Sequence, residues 1–162
     1  MSKFDSKKYK NAKEVAEGFF RKNSKINSAA LGEVVLNSAG LSHLIWKDEK
    51  RKHKRDWKNQ VKRFHLLQYA RQILANMSYY QEYLENLEEI KGEHHGKVFK
   101  ENKIIKYWGF IAIIEDKIRI KIILRKIGNG NIHFWSIIPI WKTEGYKNIK
   151  IVTLHKGDLK ED

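Results

Sequence analysis

Hydrophobic positions change their spacing about halfway along the chain. Up to about residue 77 they recur every three or four residues, which is typical of amphipathic helices. A short helix is predicted at 11–22, and a longer one is predicted to begin after Asp56, a plausible N-cap, and to reach Met77. The apolar stripe of the longer helix is Trp57, Val61, Phe64, Leu67, Ala70, Leu74 and Met77. The acidic stretch 79–90 is predicted to continue as a further helix.

From residue 97 onward the pattern predicts strands, because the chain becomes rich in β-branched and aromatic residues and is interrupted by turn signals. The predicted strands are 97–115, 117–127 and 131–141, with turns at Glu115-Asp116 and Gly128-Asn129-Gly130 and a candidate edge strand at 149–154. Helices followed by a meander predict an α+β domain, with N-terminal helices packed on one face of a C-terminal antiparallel sheet of about four strands.

The region before the long helix is less regular. The first 30 residues are interpreted as a basic N-terminal segment with a short helix, preceded by a frayed tail at 1–9. Residues 31–162 are interpreted as a single domain, because 162 residues suffice for one core. Residues 34–36 form either a short strand before a turn at 37–40 or part of a helix, and we favour the strand.

Positive charge is the main compositional feature of the chain. It has 33 Lys+Arg against 19 Asp+Glu, which gives a net charge of +14. A balance of this kind predicts a polyanionic partner such as nucleic acid. The alternative is a lysine-rich surface that only keeps the protein in solution. Clustering of cations at 47–55, and their presence inside a strand pattern, favour the polyanionic partner.

Several classes of site and protein are excluded or lack support. There is no cysteine, which excludes disulfides and thiolate metal sites. No run approaches about 18 apolar residues, so we expect a soluble protein with no membrane partner. Glu93, His94 and His95 lack a ligand spacing and are interpreted as surface residues, so neither a metal nor another cofactor is predicted. The sequence also contains no glycine-rich phosphate loop and no GxSxG motif.

Alternation along the last two predicted strands places a distinctive set of side chains on one face. Arg119, Lys121 and Arg125 share a face of 117–127, and His133 and Trp135 share a face of 131–141. Cations bind phosphates, aromatic rings stack on bases, and an imidazole moves protons near neutral pH. The combination predicts a surface that contacts RNA. The alternative is an ordinary solvent-facing side of a sheet that is covered on one face.

Ser136 falls on the opposite, apolar face by the same alternation. That position indicates a buried hydroxyl bonded to the backbone. A β-bulge near 128–130 would shift the register by one residue and bring Ser136 to the face of His133.

One kind of RNA chemistry needs no metal and no protein nucleophile. A ribonuclease that uses the 2′-hydroxyl of its substrate as the nucleophile requires a general base, a general acid and cations that stabilise the phosphorane. His43 is the second histidine that could serve in this chemistry. A histidine at a helix end or in the core is an equally good interpretation of it.

Three segments in this order resemble a known family. GLSHLIWK, VKRFHLLQYARQILANMSYYQEY and KIRIKIILRKIGNGNIHFWSIIPIW are similar to parts of the barnase/EndoU/colicin/RelE ribonuclease superfamily, especially its phage- and toxin-associated branches. The resemblance covers about 31–141 and implies a nuclease-like domain. It implies active-site roles for His43, Arg63, Arg125 and Ser136, to which the strand alternation adds His133.

The resemblance also implies a function. It implies a metal-independent bacterial toxin endoribonuclease that cleaves RNA, often tRNA, in the bacterial cytoplasm, and that is secreted or delivered as a toxin domain. An immunity or antitoxin protein would hold it in check, and the +14 charge predicts that this partner is acidic. Within the site, His43 and His133 are expected to share the proton transfers, while Arg63, Lys121 and Arg125 hold the phosphate.

Two further residues are expected to bind the substrate. Trp135 is the candidate for base stacking, and Lys47, four residues after His43, is expected on the same helical face as that histidine. The alternative function is a non-catalytic RNA- or DNA-binding module that uses the same basic face.

Overall fold

Helices and strands both contribute to the domain, as seen in a computed structural model that describes residues 3–114, 118–140 and 159–160. The helices are α1 (Ser6–Lys22), α2 (Ser38–Ile45), α3 (Trp57–Leu66) and α4 (Ala70–Asn76), with a 3-10 turn at Leu67–Tyr69. The strands are β1 (Lys25–Ser28), β2 (Gly32–Val35), β3 (Glu82–His94), β4 (Lys97–Ile114), β5 (Ile118–Ile127) and β6 (His133–Pro139). The α+β class predicted from the sequence is confirmed.

Side-chain caps set where the helices begin. Asp5 accepts a hydrogen bond from the backbone N–H of Lys8, so α1 starts at Ser6, inside the stretch that was predicted to be a frayed tail. Asp56 caps α3 as predicted, by accepting from the N–H of Asn59. The long helix predicted after Asp56 is interrupted, because the 3-10 turn separates α3 from α4.

The acidic stretch 79–90 was predicted to be a helix, and this prediction is wrong. Most of it belongs to β3, which pairs with β4 along its whole length. Opposite charges meet across the pair, for example Glu85 with Lys106, which favours the strand over an isolated helix. His95 and Gly96 connect the strands with positive φ angles of 52° and 75°, as a two-residue hairpin turn requires.

The sheet is larger than predicted and is not wholly antiparallel. Its described strands follow the order β1-β2-β6-β5-β4-β3, and β2 runs parallel to β6 through the pair Val35 and His133. The predicted antiparallel strands therefore correspond to β4, β5 and β6, whereas β3 comes from the stretch that was predicted to be helical. The strand favoured at 34–36 overlaps β2, but β1 was missed, because four-residue strands give little periodic signal. Strands and helices are thus interleaved in the N-terminal half.

The main core joins helices from the N-terminal half to one face of the sheet. Ala16 and Phe20 of α1 pack in the same buried cluster as Ile120 and Ile122 of β5 and Phe134 of β6. Residues of the first 30 positions therefore belong to the same core as the long strands. Among the described residues, no helix is both long and apolar enough to cross a membrane.

The turns predicted between the last strands are partly described. The turn at Gly128-Asn129-Gly130 connects β5 to β6 as predicted, and Gly128 has a φ of +52°. The predicted turn at Glu115-Asp116 and the candidate strand at 149–154 lie outside the described residues.

Gly40 allows α2 to lie directly against β6. A Cβ atom at this position would lie 2.3 Å from the backbone carbonyl oxygen of Phe134, which cannot move without the sheet. We expect Gly40→Ala to destabilise the protein by roughly 1–3 kcal/mol, the usual cost of overpacking. Gly18→Ala in α1 is the matched control, because the nearest atom would be 3.8 Å away and alanine favours a helix. Urea denaturation of both variants tests this, and equal stability of the two would contradict it.

Candidate functional site

A β-bulge in β6 determines which side chains meet at the site. Ile123 pairs with Ser136 and the next residue, Leu124, pairs with Phe134, so Trp135 is an extra residue on β6. Beyond the bulge, Arg125 pairs with His133. Directly paired residues point to the same side of a sheet, so His133 lies on the face of Arg125 and Ser136 lies on the face of Ile123. Ile123 and Arg125 are two residues apart on β5 and share a face, so the bulge places both His133 and Ser136 on the face of Arg125. The conflict predicted from strict alternation does not arise, and the register shift lies at Trp135, not at 128–130.

Trp135 lies at the centre of the site between two charged or polar planes. The ring of His43 stacks on it with centroids 4.0 Å apart and an angle of 18°, and the guanidinium of Arg125 lies 3.4 Å from the ring centroid. Two groups this close to one centroid cannot share a face, so they cover opposite faces of the indole. Stacking of a cation on indole is a favourable contact, and it fixes the plane of Arg125.

Arg125 also makes polar contacts with strands and with a loop. Its Nε donates to Nε2 of His133 at 2.9 Å, and one Nη donates to the carboxylate of Glu49. The hydroxyl of Tyr107, the cross-strand partner of Arg125 on β4, also interacts with it. Arg125 is only 4% exposed, so these contacts hold a buried cation in one orientation.

Two more buried arginines lie beside the same cluster. Arg55 donates to the carbonyl oxygen of His43 at 3.1 Å and, through Nη2, to His43 Nε2 at 3.2 Å. Arg63 of α3 donates to Oγ of Ser136 at 2.8 Å. Three guanidinium groups therefore surround the two histidines, and the local potential is strongly positive.

Burial and the arginines keep both histidines neutral. Desolvation, followed by repulsion from Arg55, Arg63 and Arg125, lowers the pKa of His43 from 6.5 to about 2. Desolvation, followed by repulsion from Arg125, lowers the pKa of His133 to about 4. A guanidinium can only donate, so Nε2 of each ring accepts and each ring carries its proton on Nδ1. At neutral pH both rings are therefore uncharged, and the lone pair of each Nε2 accepts from an arginine.

A basic loop covers this cluster. Residues 46–54 form a small hairpin, whose ends are joined by an antiparallel β-bridge between Trp46 and Lys54. Within it, the Asp48 carboxylate accepts hydrogen bonds from the backbone N–H groups of Lys52 and His53. These backbone hydrogen bonds are the first cause that lowers the pKa of Asp48. The loop thus has internal structure of its own and lies over the strands as a unit.

Two cavities open between this loop and the strands. The first, of about 300 Å³, is lined on its apolar side by Ile90 and Ile127 and on its polar side by Ser38, Ser42 and His43. The second, of about 360 Å³, is lined by Tyr107 and by several lysines, namely Lys47, Lys50, Lys52 and Lys160. Asp48, Glu49, Arg125 and Trp135 line both cavities. The ion pair between Glu49 and Arg125 therefore lies between the two cavities and forms part of the wall of each.

Most of the residues predicted as catalytic lie together in the structure. His43, Arg125 and His133 surround Trp135, and Arg63 is bonded to Ser136 beside them. His43 and Arg125 line the first cavity, whereas Ser136 is 0% exposed. Its hydroxyl is therefore placed to orient Arg63 and is shielded from any ligand in the cavities.

The residues predicted to bind substrate are less uniform. Lys121 is fully buried and forms an ion pair with Glu82 at 3.3 Å, and it lines neither cavity. Lys47 lines the second cavity, although α2 ends at Ile45 and Lys47 is not on a helical face with His43. Trp135 has both faces of its ring covered, so it supports Arg125 and offers no free face to a base.

Sequence reasoning missed three residues of the site. Arg55 was counted only among the clustered cations of 47–55, and nothing in its sequence neighbourhood marks it as buried. Glu49 was likewise assigned to that loop without a partner. Tyr107 could have been found, because pairing the hairpin β4–β5 in register places it opposite Arg125.

The chemistry available at the site is that of cations and neutral imidazoles. Within the described ranges, no group of three or more His, Asp or Glu side chains could hold a metal ion. The arrangement is suited to binding an anion beside two neutral imidazoles. Comparisons of this chain with family models, with curated proteins and with solved structures found no match.

Proposed function

We propose that this chain is a metal-independent endoribonuclease that cleaves RNA, with tRNA as the expected substrate class, by attack of the substrate's 2′-hydroxyl. The observation that carries the proposal is the convergence of Arg125, Arg63, His43 and His133 around Trp135 beneath a basic loop. Such a site binds a phosphodiester and places a proton acceptor next to it. The resemblance of the three sequence segments to ribonucleases supports the same reaction.

The proposed reaction needs few protein groups. The 2′-oxygen forms a bond to phosphorus and the bond to the 5′-oxygen breaks, which leaves a 2′,3′-cyclic phosphate and a 5′-hydroxyl. The additional negative charge on the phosphorane is stabilised by guanidinium groups that are already oriented, so little reorganisation is needed during the reaction. Arg125 is the principal group in this role, since it is held from three sides.

His133 is the better candidate for the proton transfers. Its pKa of about 4 is closer to neutrality than the value of about 2 for His43. A phosphate bound at Arg125 adds negative charge beside His133 and raises its lowered pKa back toward neutrality. His133 then accepts the 2′-hydroxyl proton at Nε2, where that proton replaces the hydrogen bond from Arg125 Nε, and returns it to the departing 5′-oxygen. His43 positions Trp135 and Arg55.

A second candidate function is a non-catalytic RNA- or DNA-binding module. The observation that favours it is the engagement of both histidines, whose Nε2 atoms already accept from Arg55 and Arg125. A protein of this kind would bind phosphates through the same arginines and lysines and release the nucleic acid unchanged.

Incubation with total tRNA in EDTA separates the two functions. We expect discrete cleavage products that end in a 2′,3′-cyclic phosphate, which labelling of the new 5′-hydroxyl end detects. A matched sample of the corresponding 2′-deoxy oligonucleotide should stay intact, since it lacks the nucleophile. Intact RNA together with salt-sensitive retardation on a gel would instead support the binding module.

The proposal extends to a partner and a place of action. A toxin of this type acts in the bacterial cytoplasm after secretion or delivery, and the cell that makes it needs an immunity or antitoxin protein. With a net charge of +14 on the chain, complementary charge favours an acidic partner.

A further inference from the structure

Glu49 contacts Arg125 at the boundary between the two cavities, both of which this arginine lines. Arg125 is 4% exposed, whereas the side chain of Glu49 is 64% exposed. The carboxylate therefore lies at the mouth of the site, between the two cavities, with the buried cation behind it. A ligand in either cavity therefore lies beside the contact between Glu49 and Arg125.

We propose that the Glu49 carboxylate occupies the position at which Arg125 binds a backbone phosphate of the nucleic acid, so that the loop is an internal competitor which the ligand displaces. This inference rests on the proposed function for the identity of the anion, a phosphodiester. A carboxylate and a phosphate both accept two hydrogen bonds from one guanidinium, so one can replace the other.

The exchange is energetically easy because one anion replaces another. Removal of Glu49 alone would leave a buried cation without this counter-charge, which is costly. When a phosphate arrives as Glu49 leaves, Arg125 stays paired throughout. The Glu49 side chain is 64% exposed, so its carboxylate has water close by when it leaves Arg125.

The composition of the loop fits such an exchange. Residues 46–54 contain five lysines and arginines and only two acids, of which Asp48 is used inside the loop. Lys47, Lys50 and Lys52 already line the second cavity. Once Glu49 has left Arg125, these lysines are placed to contact the phosphates next to the bound one, and the loop changes from competitor to binding surface.

The test uses the full chain and a 2′-deoxy oligonucleotide, which cannot be cleaved by 2′-hydroxyl attack. We expect Glu49→Gln to bind it about tenfold more tightly than the wild type, because the competing charge is gone. Glu89→Gln is the matched control. It removes the same charge from an exposed pair between Glu89 of β3 and Lys100 of β4, so the dissociation constant of this variant should stay within about twofold of the wild type.

The outcomes separate this inference from the proposed function. Equal affinity of Glu49→Gln and wild type, or an equal gain in the Glu89→Gln control, overturns the competitor role. Tighter binding by Glu49→Gln without tRNA cleavage by either protein supports the competitor and removes the ribonuclease. Tighter binding with a lower KM and an unchanged kcat on tRNA supports both. A collapse of kcat in Glu49→Gln would make Glu49 part of the chemistry and overturn a purely competing role.

Discussion

Replacement of Arg125 by glutamine is expected to slow RNA cleavage by about a hundredfold or more, the usual cost of removing one oriented donor from a transition-state charge. Arg125 is stacked on Trp135, bonded to His133 and aimed at the mouth of both cavities. Arg125→Lys keeps the charge but loses the planar fork, so it should recover only a small part of the rate. Single-turnover cleavage of tRNA at saturating enzyme measures the effect on the chemical step.

Arg119→Gln is the matched control for this experiment. Arg119 lies on the same strand, six residues away, and is buried to a similar degree, at 5% exposure against 4% for Arg125. It lines neither cavity. Both variants should lose stability in urea, because each loses a buried cation with its contacts, but only Arg125→Gln should lose the cleavage rate of the folded protein. Equal rates in the two variants would show that Arg125 has a structural role alone.

The secondary structure was predictable where one face of a helix or strand is buried and its hydrophobic residues recur at a regular spacing. The stripe after Asp56 and the apolar runs of β4 to β6 satisfy this condition. The stretch that became β3 does not, because it lies at the sheet edge and carries acidic residues on a half-exposed strand. Its conformation is decided by pairing with the lysines of β4, a contact between distant residues that local spacing does not contain.

The sequence predicted several residues of the candidate site, but it did not predict how their side chains are arranged. Strand alternation and the resemblance together identified Arg125, His133 and His43, which the structure brings around Trp135. The bulge that unites His133 with Ser136 depends on how β6 packs against β5 and has no glycine to mark it. Lys121 shows the opposite limit. Alternation correctly placed Lys121 on the same face of β5 as Arg125. Lys121 nevertheless forms an ion pair with Glu82 of the edge strand β3 and lines neither cavity.

Acidification is expected to destabilise the protein well above the pH at which carboxylates are protonated. The folded pKa values of His43 and His133, about 2 and about 4, lie below the ordinary value of 6.5. Below about pH 6.5 the unfolded chain therefore binds more protons than the folded one. The contribution of the two neutral histidines to the free energy of unfolding is fully present above about pH 6.5 and is lost as the pH falls. At pH 5 each histidine should cost about 2 kcal/mol, a large part of the roughly 5–15 kcal/mol that stabilises a domain.

Urea denaturation at pH 7.5 and at pH 5.0 tests this coupling between the site and the fold. The wild type should lose about 4 kcal/mol between the two pH values, by the same linkage. The double variant His43→Gln, His133→Gln should be less stable at pH 7.5, since it loses the stack on Trp135, yet should show little of this decline. His65→Gln, an exposed position on α3, should keep it. A decline of the same size in the double variant would mean that other groups carry the pH dependence. The expected difference arises because burial, together with the arginines that concentrate positive charge for a phosphate, disfavours protonation of the two rings.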